Sequence, residues 1–171
     1  MSRDDLEKKV KVIDSTIEGL KAEFRRNALE INSCTINEQV PEILNELIRE
    51  AYWCYVFSRY ASSLLLSVLV VERALFQGIS ARIGDTKARH VKLFALIELA
   101  VAYGIITKEL GDIAHRLRKR RDSYIHADLV RGVREPGHSG DLEAPSFPSF
   151  ETKEGSLEAY GDMCKIINHI Y

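Results

Sequence analysis

The sequence lacks the markers of several large protein classes. Its three cysteines, Cys34, Cys54 and Cys164, are far apart and form no CxxC pair, so neither a disulfide framework nor a zinc knuckle is expected. There is no glycine-rich phosphate loop, GxSxG turn or HExxH pair, and the histidines do not have metal-ligand spacing. We therefore expect no cofactor and no metal.

Strong net charge and long hydrophobic runs are also missing. The formal net charge is -1, so no overall positive field attracts nucleic acid. The longest charge-free run, Tyr60 to Val71, is too short to cross a bilayer, and the charged N-terminus has no hydrophobic signal core. Because 46% of the residues are hydrophobic and 29% are charged, we expect one globular cytoplasmic domain with no membrane partner.

A regular apolar stripe marks the N-terminal segment, residues 1–31, as one long helix. The stripe recurs at alternating steps of four and three residues, at Leu6, Val10, Ile13, Ile17, Leu20 and Phe24. Such a narrow seam packs along a partner helix. Two interpretations remain open: the helix lies on its own bundle, which we favour, or it forms a dimer seam.

The middle of the chain, residues 32–131, is predicted to be a helical core. Pro41 suits the first turn of a helix, and the sequence from Glu42 to about Ile79 predicts either one central helix or two with a bend near Ser58–Arg59. Asp85 is expected to cap a third helix, which carries Val91, Phe94, Ile97 and Val101 and ends near Gly104. Thr107 is expected to cap a fourth.

The C-terminal part divides into a loop and a short helix. Residues 132–155 contain three prolines and several glycines and serines, which predicts a flexible loop or lid. Residues 156–171 are expected to form a last helix. With no alternating pattern that would indicate a strand, the predicted fold is all-α, a bundle of four to five main helices with a long C-terminal loop.

The fourth helix interrupts its own apolar stripe. Leu110, Ile113 or Ala114, and Leu117 should be followed by an apolar residue at position 121, where Arg121 stands instead. A guanidinium on a core-facing stripe is costly unless it is paired or lies at a groove or interface. Asp122 follows directly, and His126 lies one turn beyond Asp122 on the same face.

This arrangement resembles the motif of the HEPN superfamily: an arginine, a polar residue directly after it, and a histidine after four to six intervening residues. Arg121-Asp122-Ser123-Tyr124-Ile125-His126 has this order. The apolar segment Ser67 to Leu75, with Glu72 embedded in it, resembles the earlier core helix of that family. The resemblance covers roughly residues 42–128.

The resemblance implies metal-independent cleavage of RNA by a homodimer whose motif helices meet at a shared cleft. His126 has the residue type for a general base or acid. Arg121 can hold and stabilise the scissile phosphate, while Asp122 can orient His126 or pair with Arg121. In an unbroken helix residues 121 and 126 are about 140° apart, so we expect each site to combine Arg121 of one copy with His126 of the other.

Supporting roles are assigned with alternatives. Glu72 is expected to be a buried partner of Arg121, with a surface charge as the alternative, and Tyr124 to support the motif. The aromatic residues Tyr52, Trp53, Tyr55, Phe57 and Tyr60 are expected in the core or an interface rather than stacked on bases. The basic block is either an RNA-backbone track or a solvated helix face; its members are Arg116, Arg118, Lys119 and Arg120.

The function expected from these residues is that of an endoribonuclease, a toxin or antiviral-defence effector restrained by an antitoxin or defence-system partner. The alternatives are a non-catalytic HEPN module that binds RNA, a nucleotide or a protein, and a structural bundle in which the motif is accidental.

Overall fold

The computed structural model describes residues 3–31, 36–132 and 152–171, with side chains over 9–31, 36–125 and 152–171. All regular structure in these residues is helical, which confirms the all-α bundle. Most of the predicted loop 132–155, namely residues 133–151, lies outside the described residues. The helices are α1 (Arg3–Ile31), α2 (Glu42–Val56), α3 (Tyr60–Ile83), α4 (Asp85–Ala88), α5 (Leu93–Ala102), α6 (Lys108–Gly132) and α7 (Lys153–Ile170).

Helix α3 is the centre of the bundle, because it is apolar on several faces. It packs against α2, α5, α6 and α7, and Leu64, Val68, Val71 and Leu75 are fully buried. By length and composition alone α3 could also cross a membrane, a test that the core helix of a bundle passes as well. Its packing against four long neighbours is that of a core helix.

The segment 42–79 forms two helices, as one of the two sequence interpretations predicted. The break lies at Phe57–Arg59, where Ser58 adopts a positive φ of 58° and Arg59 N–H donates to the carbonyl of Cys54. Asn27 of α1 stabilises this break, since its amide donates to the carbonyl of Val56 (3.2 Å) and to Ser58 Oγ (3.2 Å). The C-terminal part of α1 therefore caps the end of α2.

Several helix starts differ from prediction. Pro41 is the N-cap of α2 and precedes its first turn. Asp85 begins only the four-residue α4, and α5 starts at Leu93, after Val91. The expectation that Asp85 caps that helix was wrong, because the chain turns again at Arg89–Lys92.

The starts of the last two long helices depend on threonine caps. The Leu110 amide donates to Thr107 Oγ1 (3.3 Å), as predicted for α6. Helix α7 begins at Lys153, three residues before the predicted start at 156, since Thr152 Oγ1 accepts from the amide of Gly155 (3.1 Å). Gly155 lies within the first turn of α7, where we had taken it for part of the loop.

Residues 9–22 of α1 do not lie on the bundle, contrary to the interpretation we favoured. Val10, Ile13, Ile17 and Leu20 are between 42% and 56% exposed. Only the C-terminal part docks: the Phe24 and Phe57 rings meet edge to face. Glu30 accepts hydrogen bonds from Lys153 and Tyr55, and the Lys153 bond lowers the pKa of Glu30 below its ordinary value.

The cysteines also require a correction. Cys164 is disulfide-bonded, whereas Cys54 is free and buried. Wide separation along the sequence does not prevent pairing, because folding brings distant segments together. The sequence argument against a disulfide framework therefore did not anticipate the single bond at Cys164.

Candidate functional site

The position of α6 depends on small residues that let it approach α5 closely. A Cβ atom at Gly111 would lie 2.7 Å from Val101 Cγ2, so a larger residue there would push the helices apart. Ala114 and Leu117, one and nearly two turns later, are buried. This stripe carries Arg121, its next member, to the edge of the core beside α3.

Arg121 is held there by two carboxylates. Its Nη1 donates to Glu72 Oε2 of α3 at 3.3 Å, and its Nη2 and Nε donate to Asp122 Oδ1 at 2.9 and 3.1 Å. All three side chains are partly exposed. The predicted pairing of Arg121 with Glu72 is present, although Glu72 is not buried. Of the two contacts considered for Asp122, the described side chains show the one with Arg121.

A second arginine completes the cluster. Arg118 Nη1 donates to Asp122 Oδ2 at 2.7 Å, and the Arg118 guanidinium lies over the Phe94 ring, 5.5 Å from its centre. We call Glu72, Arg118, Arg121 and Asp122 the Arg–carboxylate cluster. Its two formal positive charges balance its two negative ones. Because Asp122 Oδ1 accepts from both Nε and Nη2 of Arg121, a ligand anion must displace this carboxylate to gain that fork.

A histidine and a glutamate extend the polar network behind Phe94. His115 Nε2 lies 2.7 Å from Glu98 Oε1, and the His115 ring contacts the Phe94 ring at 5.1 Å between centres. Sequence reasoning missed this pair, because its members lie on different helices. Among the described residues no three histidine, cysteine or acidic side chains group as metal ligands.

The four predicted RNA-binding residues do not lie together. Arg116 and Arg120 point toward α7, where they pair with Asp162 (3.5 Å) and Glu158 (3.3 Å). Arg118 belongs to the Arg–carboxylate cluster, and Lys119 is exposed. The acidic face of α7 therefore takes up part of the basic block, whereas the Arg118 side chain pairs with Asp122 of the motif.

The histidine of the motif is placed by its backbone alone. Helix α6 continues without a break to Gly132, so residues 121 and 126 are about 140° apart around its axis. The His126 side chain lies outside the described residues. Tyr124 is half-buried, between these positions on the helix. Within one copy, positions 121 and 126 therefore lie on different sides of the α6 backbone.

An open pocket of about 530 Å³ lies next to the cluster. Glu72, the partner of Arg121, lines this pocket. Two cationic residues, Arg73 and Arg89, and the acidic Asp85 line it as well. Leu69 and Phe76 supply apolar surface. Charged and apolar walls of this kind suit a ligand that has both phosphate and base. The sequence did not indicate this pocket, since Arg89 follows the unpredicted helix α4.

Exposed apolar side chains surround the cluster. Leu69 on α3, Phe94 on α5 and Ile125 on α6 are each more than a third exposed. A set of large apolar side chains beside a polar cluster is typical of an interaction surface. We refer to Leu69, Phe94 and Ile125, together with the Arg–carboxylate cluster, as the motif face.

Comparison with known proteins adds no relative: no family model matches the chain, and searches of curated proteins and of solved structures found no match. The function must be argued from the geometry.

Proposed function

We propose that the protein is a metal-independent endoribonuclease of the HEPN type, a cytoplasmic toxin or antiviral-defence effector that cleaves cellular RNA. The observation that carries the proposal is the position of Arg121. It interrupts a buried stripe, yet its guanidinium is neither buried nor free: two carboxylates hold it, and one of them, Glu72, lines an open pocket.

The chemistry requires a proton acceptor, a proton donor and charge stabilisation. A base removes the proton of the 2′-hydroxyl, the 2′-oxygen attacks the adjacent phosphorus, and the bond to the 5′-oxygen breaks as that oxygen takes up a proton. The products are a 2′,3′-cyclic phosphate and a 5′-hydroxyl. His126 exchanges the proton, because imidazole titrates near neutral pH. Arg121 stabilises the charge that develops on the phosphate.

Asp122 and Glu72 set the position of Arg121 before the substrate arrives. Both acidic side chains are partly exposed, so either can turn into solvent when phosphate oxygens replace it. This exchange substitutes one charge-assisted contact for another and does not require the core to open. Arg118, which shares Asp122 with Arg121, can remain paired with Asp122 after that carboxylate has released Arg121.

A homodimer through the motif face would bring the two halves of the site together. The exposed Leu69, Phe94 and Ile125 provide apolar surface for this contact. A two-fold axis near the motif would pair Arg121 of each copy with His126 of the other. The angle of about 140° between the two residues on one α-helix would then no longer keep them apart. An antitoxin or defence-system partner would restrain the assembly.

A second candidate function follows from the charges of the Arg–carboxylate cluster, in which two carboxylates already neutralise the two arginines. If Glu72 and Asp122 never release Arg121, the motif face is an interaction network, and the protein is a non-catalytic module that binds RNA, a nucleotide or a partner protein. The two functions differ in what the loss of Arg121 changes.

Arg121→Ala is expected to lower the rate of RNA cleavage by about 100-fold or more, the effect of removing one preorganised charge stabiliser. Arg121→Lys should retain part of the rate, because it keeps the charge but not the planar fork. The melting temperature should change little, since a partly exposed ion pair contributes about 1 kcal/mol or less. Cleavage of a labelled RNA by the purified variants measures the first effect, and calorimetry measures the second.

Arg49→Ala is the matched control, because Arg49 is exposed on α2, a helix that does not pack against α6. It should cleave like the native protein. Absence of RNA cleavage by both the native protein and Arg121→Ala, combined with a changed mass or a weaker affinity of the variant for RNA, would favour the non-catalytic module.

A further inference from the structure

The exposed stripe of α1 is the largest apolar feature of the described residues that the proposed function does not use. In heptad positions Val10, Ile17 and Phe24 occupy a, and Leu6, Ile13 and Leu20 occupy d. Four of these side chains are exposed and form one continuous face. The next d position is Asn27, which is buried against the end of α2. The free seam therefore ends where the helix joins its own bundle.

We propose that this seam binds a second copy of α1 as an antiparallel two-stranded coiled coil. In an antiparallel pair, a positions pack against d positions of the other helix. One register uses every member of the seam: Leu6 against Phe24, Val10 against Leu20, and Ile13 against Ile17, each pair occurring twice. The two-fold axis then passes near Ser15.

The charges that flank the seam favour this orientation. At the e and g positions, the antiparallel register places Glu7 opposite Lys21 and Lys9 opposite Glu23. Symmetry doubles both opposite-charge pairs, and the only like-charge pair is Asp14 with its own copy. A parallel pair in register would oppose only Lys9 and Asp14 with opposite sign. Flanking charges of this kind determine the orientation of coiled coils.

A second exposed apolar patch lies where the seam ends. The Phe24 ring contacts Phe57, and Phe57 stacks on Trp53 at 5.6 Å between ring centres. Both of these rings are nearly half exposed. In the antiparallel register the second α1 runs past Phe24 with its N-terminal turn directed to this patch, so one partner accounts for both exposed surfaces. A parallel partner would direct its C-terminal half, and the bundle attached to it, to the same place.

Sedimentation of the full-length protein tests the pairing. Ile13→Asp places a charge in the middle of the seam and is expected to halve the native mass, from dimer to monomer or, where copies also meet through the motif face in a tetramer, from tetramer to dimer. Val12→Asp is the matched control: Val12 is 64% exposed but lies at position c, outside the seam, so its mass should equal the native one. Equal masses for native protein and Ile13→Asp, or equal losses in both variants, would overturn the proposal.

Cysteine cross-linking tests the orientation. Thr16 lies opposite its own copy in the antiparallel register, so Thr16→Cys should form a covalent dimer on oxidation that the unmodified protein does not form. Val10 and its copy would be about 15 Å apart along the axis, so Val10→Cys should not cross-link. A cross-link at Val10 in place of Thr16 would contradict the antiparallel arrangement. The seam contains no residue of the RNA site, so loss of RNA cleavage and loss of pairing are separate results.

Discussion

Replacing His126 by alanine is expected to lower the rate of RNA cleavage by about 10²–10⁴-fold, the usual contribution of general acid–base catalysis. Removal of the imidazole leaves the 2′-hydroxyl without its proton acceptor, or the leaving oxygen without its donor, while Arg121 remains to bind the phosphate. RNA affinity should therefore fall much less than the cleavage rate. Gel analysis of a labelled RNA, with binding measured separately, distinguishes the two quantities.

His169→Ala serves as the control for the His126 variant. His169 is an exposed histidine near the end of α7. Replacing it by alanine removes one histidine, as His126→Ala does, but leaves the sequence of α6 unchanged. It should cleave like the native protein. If His126→Ala also cleaves at the native rate, with an unchanged melting temperature, the proton transfer does not involve His126, and the catalytic assignment of the motif fails.

Mixing two inactive variants is expected to restore activity if each site is shared between copies. Arg121→Ala lacks only the arginine and His126→Ala only the histidine. A mixed dimer then contains one site with both residues intact and one with neither. Random pairing makes half of the dimers mixed, and each keeps one of its two sites, so the mixture should recover about a quarter of the native activity.

The mixture must be made under conditions that allow subunits to exchange, for example by co-expression. The control is the double variant Arg121→Ala/His126→Ala mixed with native protein, in which no mixed dimer has an intact shared site. The native dimers, a quarter of the mixture, should then leave about a quarter of the native activity, against about half if each chain acts alone. Absence of recovery in mixed dimers confirmed by mass would mean that Arg121 and His126 do not act across the interface. The separation of about 140° on α6 would then have to be overcome within one chain.

The sequence predicted those parts of the fold that local patterns determine. The apolar spacing placed the main helices, and Thr107 located the start of α6, because a cap is a local hydrogen bond between neighbouring residues. The sequence predicted a bend near Ser58, but it did not determine whether the segment 42–79 forms one helix or two. That choice depends on Asn27, a residue of another helix that caps the break.

Features that depend on tertiary contacts could not be predicted with the same accuracy. The motif arginine was found because it interrupts an apolar stripe, and its partner Glu72 because it interrupts another. The basic block was predicted as one unit, yet the structure divides it: Arg116 and Arg120 face α7, whereas Arg118 faces Asp122. The direction of each arginine side chain depends on where α7 packs against α6. The spacing of residues along α6 does not determine that position.

The seam of α1 shows the same limit. A regular apolar stripe predicts that a helix will pack, but the stripe alone cannot identify the partner. The exposed Val10 and Ile13 now show that the partner is not this bundle, which the sequence left open.

Incubation of RNA with the purified native protein in excess EDTA, followed by identification of the fragment ends, tests whether the protein cleaves RNA without a metal. We expect cleavage with 2′,3′-cyclic phosphate and 5′-hydroxyl ends, because the side chains of Arg121 and His126 perform the proposed reaction without a metal. Intact RNA with a folded, assembled protein, or fragments with 5′-phosphate ends that form only when a divalent cation is present, would contradict it.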